Sequence, residues 1–260
     1  MTWSDDIAAR CKGFEAAATT QRADRGRPVL ARLDGRAFHT YTHGMTRPYD
    51  PRLSQCMIET AKALVDKNQA IVGYTQSDEI TLLFWVDDAL PSSCLPFDGR
   101  IQKLTSVLAG FASARFAQLA WALLPEKQEH IPHFDCRVWQ VPTTDDAIEA
   151  FAWRMHDARK NSVSMAAQAH YSHRQLLNVD TRQKLELLRP VGVDWSTYPD
   201  FFRVGTFVRR VVADVVLDEA ARLRIPEKHR PAAGVAVPRS RMVCETPPET
   251  LTWPWLLGRK

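Results

Sequence analysis

The sequence predicts an α+β fold: a palm-like, ferredoxin-type β-α-β-β-α-β core with an antiparallel sheet, followed by a C-terminal α/β extension. Three observations carry this. Between residues 28 and 141 the apolar spacing alternates between the strand and helix periods in the order strand, helix, strand, strand, helix, strand. The two central β-rich runs are separated only by the polar Thr75-Gln76-Ser77-Asp78-Glu79, short enough to be a hairpin turn. Pro142 then stops the last run, which sets a soft boundary between a catalytic region, 1–142, and an extension, 143–260.

Each element has its own justification. Pro28 to Leu33 reads as a strand that runs into Asp34-Gly35. Pro51 opens a helix, because its fixed φ suits the first helical position. The apolar face of that helix is Leu53, Met57, Ala61, Leu64 and Val65. Ala70–Tyr74 and Ile80–Trp85 are the hairpin strands, and a loop rich in Pro, Ser and Asp follows from Asp87 to Gly99. Ile101, Leu104, Leu108 and Phe111 start a long helix that reaches Trp121; Phe134–Val141 is the next strand. Beyond it the spacing predicts a helix over Asp145–Arg159, a polar segment, a helix over Thr181–Leu188, a strand over Phe202–Val212 and a Pro-rich tail.

Composition narrows the class. At 45% hydrophobic and 25% charged residues, the 260-residue chain matches globular averages and excludes disordered or fibrous classes. No apolar run reaches the ~18–20 residues of a membrane span. Asp5, Asp6 and Glu15 leave no room for a signal peptide. Five scattered cysteines suit neither a disulfide framework nor a zinc site, and point to a cytoplasmic location. Residues 1–199 hold 23 basic and 23 acidic side chains, whereas 200–260 hold 11 and 7, so the whole net charge of +4 lies in the last quarter. A phosphate-bearing partner gripped by residues such as Arg209, Arg210 and Arg222 would explain this; so would an ordinary solvated basic surface.

The chemistry concentrates where the first strand ends. In a β-α-β-β core that point lies beside the hairpin turn, which brings Asp34 together with Asp78 and Glu79. Two converging carboxylates can hold two divalent ions, and hard oxygens favour Mg²⁺. Gly35, lacking Cβ, lets a carbonyl or phosphate come close. By spacing alone the same residues also read as a plain turn and a cap.

Longer blocks sharpen this. Ala31-Arg-Leu-Asp-Gly-Arg-Ala-Phe-His39, Arg47-Pro-Tyr-Asp50, Tyr74-Thr-Gln-Ser-Asp-Glu79, Phe134-Asp-Cys-Arg137, Phe151-Ala-Trp-Arg154 with Asp157, and Phe202-Arg-Val-Gly-Thr206 occur in that order. Together they resemble the tRNA-histidine guanylyltransferase family, whose members, the guanylyltransferase-like proteins included, are 3′-to-5′ nucleotide polymerases with a palm core. The resemblance implies metal binding by Asp34, Gly35 and Asp78, with Glu79 as the adjacent acid. It implies nucleotide binding by Asp34, Gly35, Arg36, Ala37, Phe38, His39 and Ser77. Arg47 stands where the family usually has lysine near the phosphates, Asp50 near the base, and Arg100 and Lys103 on the triphosphate. It further implies Mg²⁺ (two ions), GTP and ATP as substrates, tRNA or a tRNA-like RNA as partner, and a homo-tetramer.

One block departs. After the Trp-Arg block this chain has Arg159-Lys-Asn-Ser-Val-Ser-Met165, which keeps only Asn161 of the run typical of eukaryotic histidine-specific members and resembles the bacterial-type guanylyltransferase-like proteins. Templated repair of tRNA 5′ ends is therefore expected rather than untemplated addition of guanosine to tRNA-histidine. A palm-type nucleotide cyclase and a non-catalytic RNA-binding module are the competing readings. The His130/His133 pair lacks a third ligand nearby in sequence, whereas His170 and His173, at i, i+3 beside Tyr171 and Arg174, fit a metal on a helix, an RNA contact or a core or capping role. Trp139 and Trp153 read as core, and Trp253 and Trp255 as anchors for the tail.

Overall fold

The computed structural model describes residues 3–87 and 93–259; part of the predicted Asp87–Gly99 loop, residues 88–92, lies outside the described residues. In chain order the elements are α1 (Trp3–Thr19), β1 (Val29–Gly35), α2 (Phe38–Tyr41), α3 (Pro51–Lys67), β2 (Val72–Gln76), β3 (Glu79–Phe84), α4 (Ile101–Leu123), β4 (Phe134–Gln140) and α5 (Thr144–Gln168). Then come α6 (Thr181–Leu188), α7 (Asp200–Arg203), β5 (Thr206–Val216), α8 (Glu219–Leu223), β6 (Ala236–Glu245) and α9 (Trp253–Leu256). The strands form one antiparallel sheet in the order β4-β1-β3-β2-β5-β6. Its first four strands are the β-α-β-β-α-β core.

Strand alternation sends neighbouring side chains to opposite faces. Val29, Ala31, Leu33, Ile80, Leu82 and Phe84 therefore meet α3 and α4, joined by Met57, Leu64, Leu104, Leu108 and Phe116. Leu30, Val72, Tyr74, Leu83 and Phe207 point the other way, onto Ala147, Phe151 and Ala158 of α5 and Leu256 of α9. Each large side chain fully buried this way contributes roughly 2–3 kcal/mol. On this second face α5 covers the middle of the sheet, and β4 lies beyond it.

Several boundaries differ from the sequence expectation. The turn between β2 and β3 shrinks to Ser77-Asp78, since Gln76 and Glu79 pair directly. The helix expected to stop at Arg159 continues to Gln168. Val163 and Ala166 bury there against Leu188 and Trp195, and packing overrides the weak helix preference of Asn161, Ser162 and Ser164. The fifth strand starts at Thr206 rather than Phe202, which sits in α7. Gly205 makes this break: its φ is +78°, and a Cβ would collide with the Tyr74 hydroxyl and the Thr75 carbonyl. The Pro-rich tail contains β6, whose outer residues pair only with β5 in a two-stranded ribbon. N-terminal helix α1, for which the sequence carried no clear stripe, buries no residue.

The basic last quarter is partly spent inside the fold. Arg209 is buried, paired with Glu245 and stacked 3.8 Å over the Trp255 ring, so it is not a phosphate contact. Arg210 pairs with Asp66, and Arg222 with Glu219. Trp255 also packs edge-on against Phe207, and Trp253 against Trp85, which anchors the tail. Among the described residues no helix is long and apolar enough to cross a membrane, and all five cysteines are free.

Candidate active site

The register of β1 places Asp34 opposite Glu79 on β3 and Asp135 on β4. One residue on, the Gly35 N–H donates to the Asp78 carbonyl at 3.0 Å, which ties the end of β1 to the hairpin turn. Ser77 holds that turn at φ 49°, a left-handed value that costs a non-glycine residue about 1 kcal/mol or more. Its hydroxyl donates to the Asp78 carboxylate at 3.0 Å. Burial raises the Asp78 carboxyl above its ordinary range; Ser77 opposes the rise, and the charges of Asp34 and Glu79 add to it. Asp78 is thus a desolvated carboxylate facing like charge, an arrangement that a cation relieves.

Glu79 is already engaged. It pairs closely with the buried Arg154 of α5, which also holds Asp157 at 3.1 Å and stacks 4.6 Å from the Trp153 ring centre. Among the described residues no group of three or more His, Cys, Asp or Glu converges on one point. The donors offered to a metal are then Asp34, Asp78 and the Gly35 carbonyl, hard oxygens that leave positions for water and phosphate. That set fits Mg²⁺. The absence of Cβ at Gly35 serves packing as well, since a methyl there would overlap the Phe38 ring.

Beside this pair opens a cavity of about 340 Å³, lined by His39, Arg47, Asp50, Ser77, Asp78, Met165 and Gln168 among others. A second cavity of about 270 Å³ shares Ser77, Asp78, Met165 and Gln168, and adds Gln76, Glu79, Asn161 and Ser164. Met165 and Gln168 escaped the sequence reading because the helix was ended at Arg159. The signal was present in Phe151, Met155, Ala158 and Ala166, whose helical spacing runs through the polar stretch. The departing run Arg159–Met165 therefore borders the nucleotide-sized cavity.

The other expected residues divide. Arg47 forms no ion pair with any described residue and lines the first cavity, and His39 hydrogen-bonds Thr40 at 3.0 Å on its rim. Arg36 is tied through its backbone to the His133 carbonyl at 2.9 Å. Ala37 takes a left-handed φ of 55° at the start of α2. Phe38 also lines the first cavity but is only 3% exposed, its ring held among Tyr41, Phe116 and Phe134, so it positions the loop. Asp50 caps α3 and is saturated by Arg52, at 2.8 Å, which in turn reaches Glu126 at 2.7 Å. The Arg52 side chain holds the Asp50 carboxyl below its ordinary range.

Arg100 and Lys103 are not brought to this site within the chain. Helix α4 starts after β3 has run from Glu79 to Phe84, about 17 Å at ~3.3 Å per residue. Arg100 bridges Arg22, and Lys103 lies 5.2 Å over the Phe97 ring, both at the far end of the sheet. Helical spacing puts them on one face, but chain direction decides which end of the sheet receives it.

Two expected outcomes arise here. Asp50→Ala should lower stability by about 1–2 kcal/mol at neutral pH, the usual worth of a helix cap. The Asp50 carboxyl is depressed in the fold, so its contribution is present above the ordinary value of 3.8 and is lost as pH falls through the folded value. Acid unfolding of the variant should accordingly start from a lower, flatter curve. Asp78 has the opposite sign: its raised carboxyl costs nothing below about 3.8 and progressively more as pH rises towards the folded value. Without metal, Asp78→Asn should melt above the wild type at neutral pH. Mg²⁺ at about a hundred times its Kd should stabilise the wild type by about 2.7 kcal/mol and the variant much less.

Comparison with known proteins agrees with this geometry. The tRNAHis guanylyltransferase family model matches residues 8–142, just over half of the chain. A bacterial tRNA(His) guanylyltransferase-like protein, solved in complex with ATP, superposes with a TM-score of 0.73 and 33% identity over 78% of this chain and 88% of that one. Another solved in complex with GTP gives a TM-score of 0.70 and 28% identity over 95% and 93%. The tRNA(His) guanylyltransferase of Saccharomyces cerevisiae is 26% identical over 200 residues, 70% of this chain and 82% of its own.

Proposed function

The chain belongs to the tRNAHis guanylyltransferase family, an enzyme family of nucleotidyltransferases acting on tRNA, and from this we propose that it adds nucleotides in the 3′-to-5′ direction to the 5′ end of tRNA, guided by the opposite strand. The observation that supports the reading best is the hydrogen-bonded junction of Gly35 and Asp78, which sets Asp78 at the wall of a nucleotide-sized cavity with the charge of Asp34 close behind it. Two Mg²⁺ ions held by Asp34, Asp78 and the Gly35 carbonyl would activate the attacking hydroxyl and neutralise charge on the leaving group. The 3′-hydroxyl of the incoming nucleoside triphosphate attacks the activated 5′-phosphate of the RNA. A new phosphodiester forms, and the activating group leaves as pyrophosphate or AMP.

The residues of the chain do the positioning. Arg47, which forms no ion pair with any described residue, offers a planar fork to the phosphates of ATP or GTP. Met165 and Gln168 line the cavity together with Ser77 and Asp78. Arg154 fixes Glu79, which stabilises the strand end that carries Asp34. In this reading residues 1–142 carry the chemistry and 143–260 supply RNA and subunit contacts, with α5 reaching back into the site.

The altered Arg159–Met165 run supports templated repair over strict histidine identity. A base pair with the template selects each nucleotide, so no protein group needs to read the RNA, and phosphate contacts alone suffice to place it. The test incubates the protein with tRNAs of several identities lacking their 5′ nucleotide and maps what is added. Nucleotides complementary to each template are expected, with UTP, CTP and ATP used in their turn. Addition of G to tRNA-histidine with none to the truncated tRNAs would overturn the repair reading.

A further inference from the structure

Trp139 and Trp153 are not core residues: they are 37% and 58% exposed. Trp139 lies on the second sheet face, where β4 pairs with β1, and Trp153 lies on the solvent side of α5, the helix that packs on that face. On β4 the outward residues are Asp135, Arg137 and Trp139, set opposite Asp34, Arg32 and Leu30 of β1. Arg137 is 56% exposed and makes only a loose 3.7 Å contact with Asp135. Arg32 forms no ion pair with any described residue, and its Nε is buried without a hydrogen-bond partner. Trp153 stands at the Asp34 end, because Arg154 beneath its ring reaches Glu79, the cross-strand neighbour of Asp34. Trp139 stands about 13 Å further along β4, four residues past Asp135 at ~3.3 Å each.

A strip that leads away from two carboxylates, with two exposed indoles at its ends and two guanidinium groups between, Arg32 without an ion pair among the described residues and Arg137 only loosely paired, matches the chemistry of one ligand class. Single-stranded RNA presents unstacked bases, which stack on aromatic rings, joined by phosphates that pair with arginine. A duplex hides its bases from such a surface. A protein partner is a weaker match, because the floor between the indoles is charged. We propose that this strip, Trp153–Arg32–Arg137–Trp139, is the track on which an unpaired strand of the substrate RNA lies as its end enters the site. The proposal rests on the nucleotidyl-transfer reading above, and names the surface that delivers the RNA. Stacking is done by Trp139 and Trp153; Arg137 and Arg32 hold phosphate.

The experiment measures binding of a short fluorescein-labelled single-stranded RNA by anisotropy, and of ATP by calorimetry, in metal-containing buffer. Trp139→Ala and Trp153→Ala should each weaken RNA binding about five-fold or more and leave ATP affinity unchanged, although Trp153→Ala also strips the ring from Arg154 and should lower the melting temperature by a few degrees. Trp139→Phe and Trp153→Phe should recover most of the loss, since a phenyl ring still stacks. Trp121→Ala, which removes a 64% exposed indole from α4 on the other side of the sheet, should have no effect. Unchanged RNA affinity in both alanine variants would overturn the proposal. So would equal losses in the Phe variants or in Trp121→Ala, or a change of oligomeric mass without loss of RNA binding. If the wild type transferred no nucleotide to any RNA while the tryptophan variants still lost RNA affinity, the transfer reading would fall and the track would stand.

Discussion

Asp34→Ala and Asp78→Ala are each expected to lower nucleotide transfer at least a thousandfold, measured by incorporation of labelled nucleotide into truncated tRNA at saturating Mg²⁺. Losing a metal ligand removes several kcal/mol of charge stabilisation from the transition state, and ~4 kcal/mol is about a factor of a thousand. The fold should survive. Asp34 ends β1 and Asp78 lies in a two-residue turn, so neither side chain is part of the apolar core. For Asp78 the apo protein should gain stability, because a desolvated carboxyl next to Asp34 and Glu79 is removed. The loss of activity would then coincide with an unchanged or raised melting temperature, which separates a chemical role from a structural one. Near-normal turnover in either variant would remove the metal site from Asp34 and Asp78.

The second large effect is expected at Arg154, through stability. Arg154→Met removes the partner of Glu79 and Asp157 and leaves two carboxylates facing one another beneath α5. Breaking a buried pair from one side costs about 3–5 kcal/mol. Here Glu79 is 19% and Asp157 31% exposed, so solvent screens part of the cost and the lower end applies. A loss of about 3 kcal/mol corresponds to a fall of roughly 6–12 °C in melting temperature. The double variant Glu79→Gln/Arg154→Met should recover much of that loss, since no uncompensated charge remains on β3. If the double variant melts no higher than the single one, the cost belongs to packing of the guanidinium against Trp153 and not to the ion pair.

The elements that the sequence alone determined are those whose signal is local. Apolar periodicity defined α3 and α4, because a buried helix face requires one side chain every three or four residues whatever it packs against. The strand, helix and hairpin order of residues 28–141 permits few arrangements, and the antiparallel β4-β1-β3-β2 order is one of them. That order brings Asp34 and Asp78 together from 44 positions apart in sequence, which is why the carboxylate pair was legible before any coordinates. The tertiary structure alone decided which side chains remain free to act. Asp50 matched a base-contact motif but is neutralised by Arg52, and Glu79 by Arg154 from 75 residues away. Arg100 and Lys103 share a helix face, yet α4 begins where β3 ends, at the far end of the sheet. Met165 and Gln168 reach the cavity because Val163 and Ala166 pack on α6 and Trp195 and carry the helix past its polar residues. Trp139 and Trp153, apolar enough to be read as core, stay exposed for different reasons: Trp139 lies on β4, none of whose residues packs into the α5 cluster, and Trp153 sits on the solvent side of α5 itself. Periodicity reports which residues lie on a face. Whether that face is covered, and whether a charge on it is already paired, depends on elements distant in sequence, and a local pattern carries no record of them.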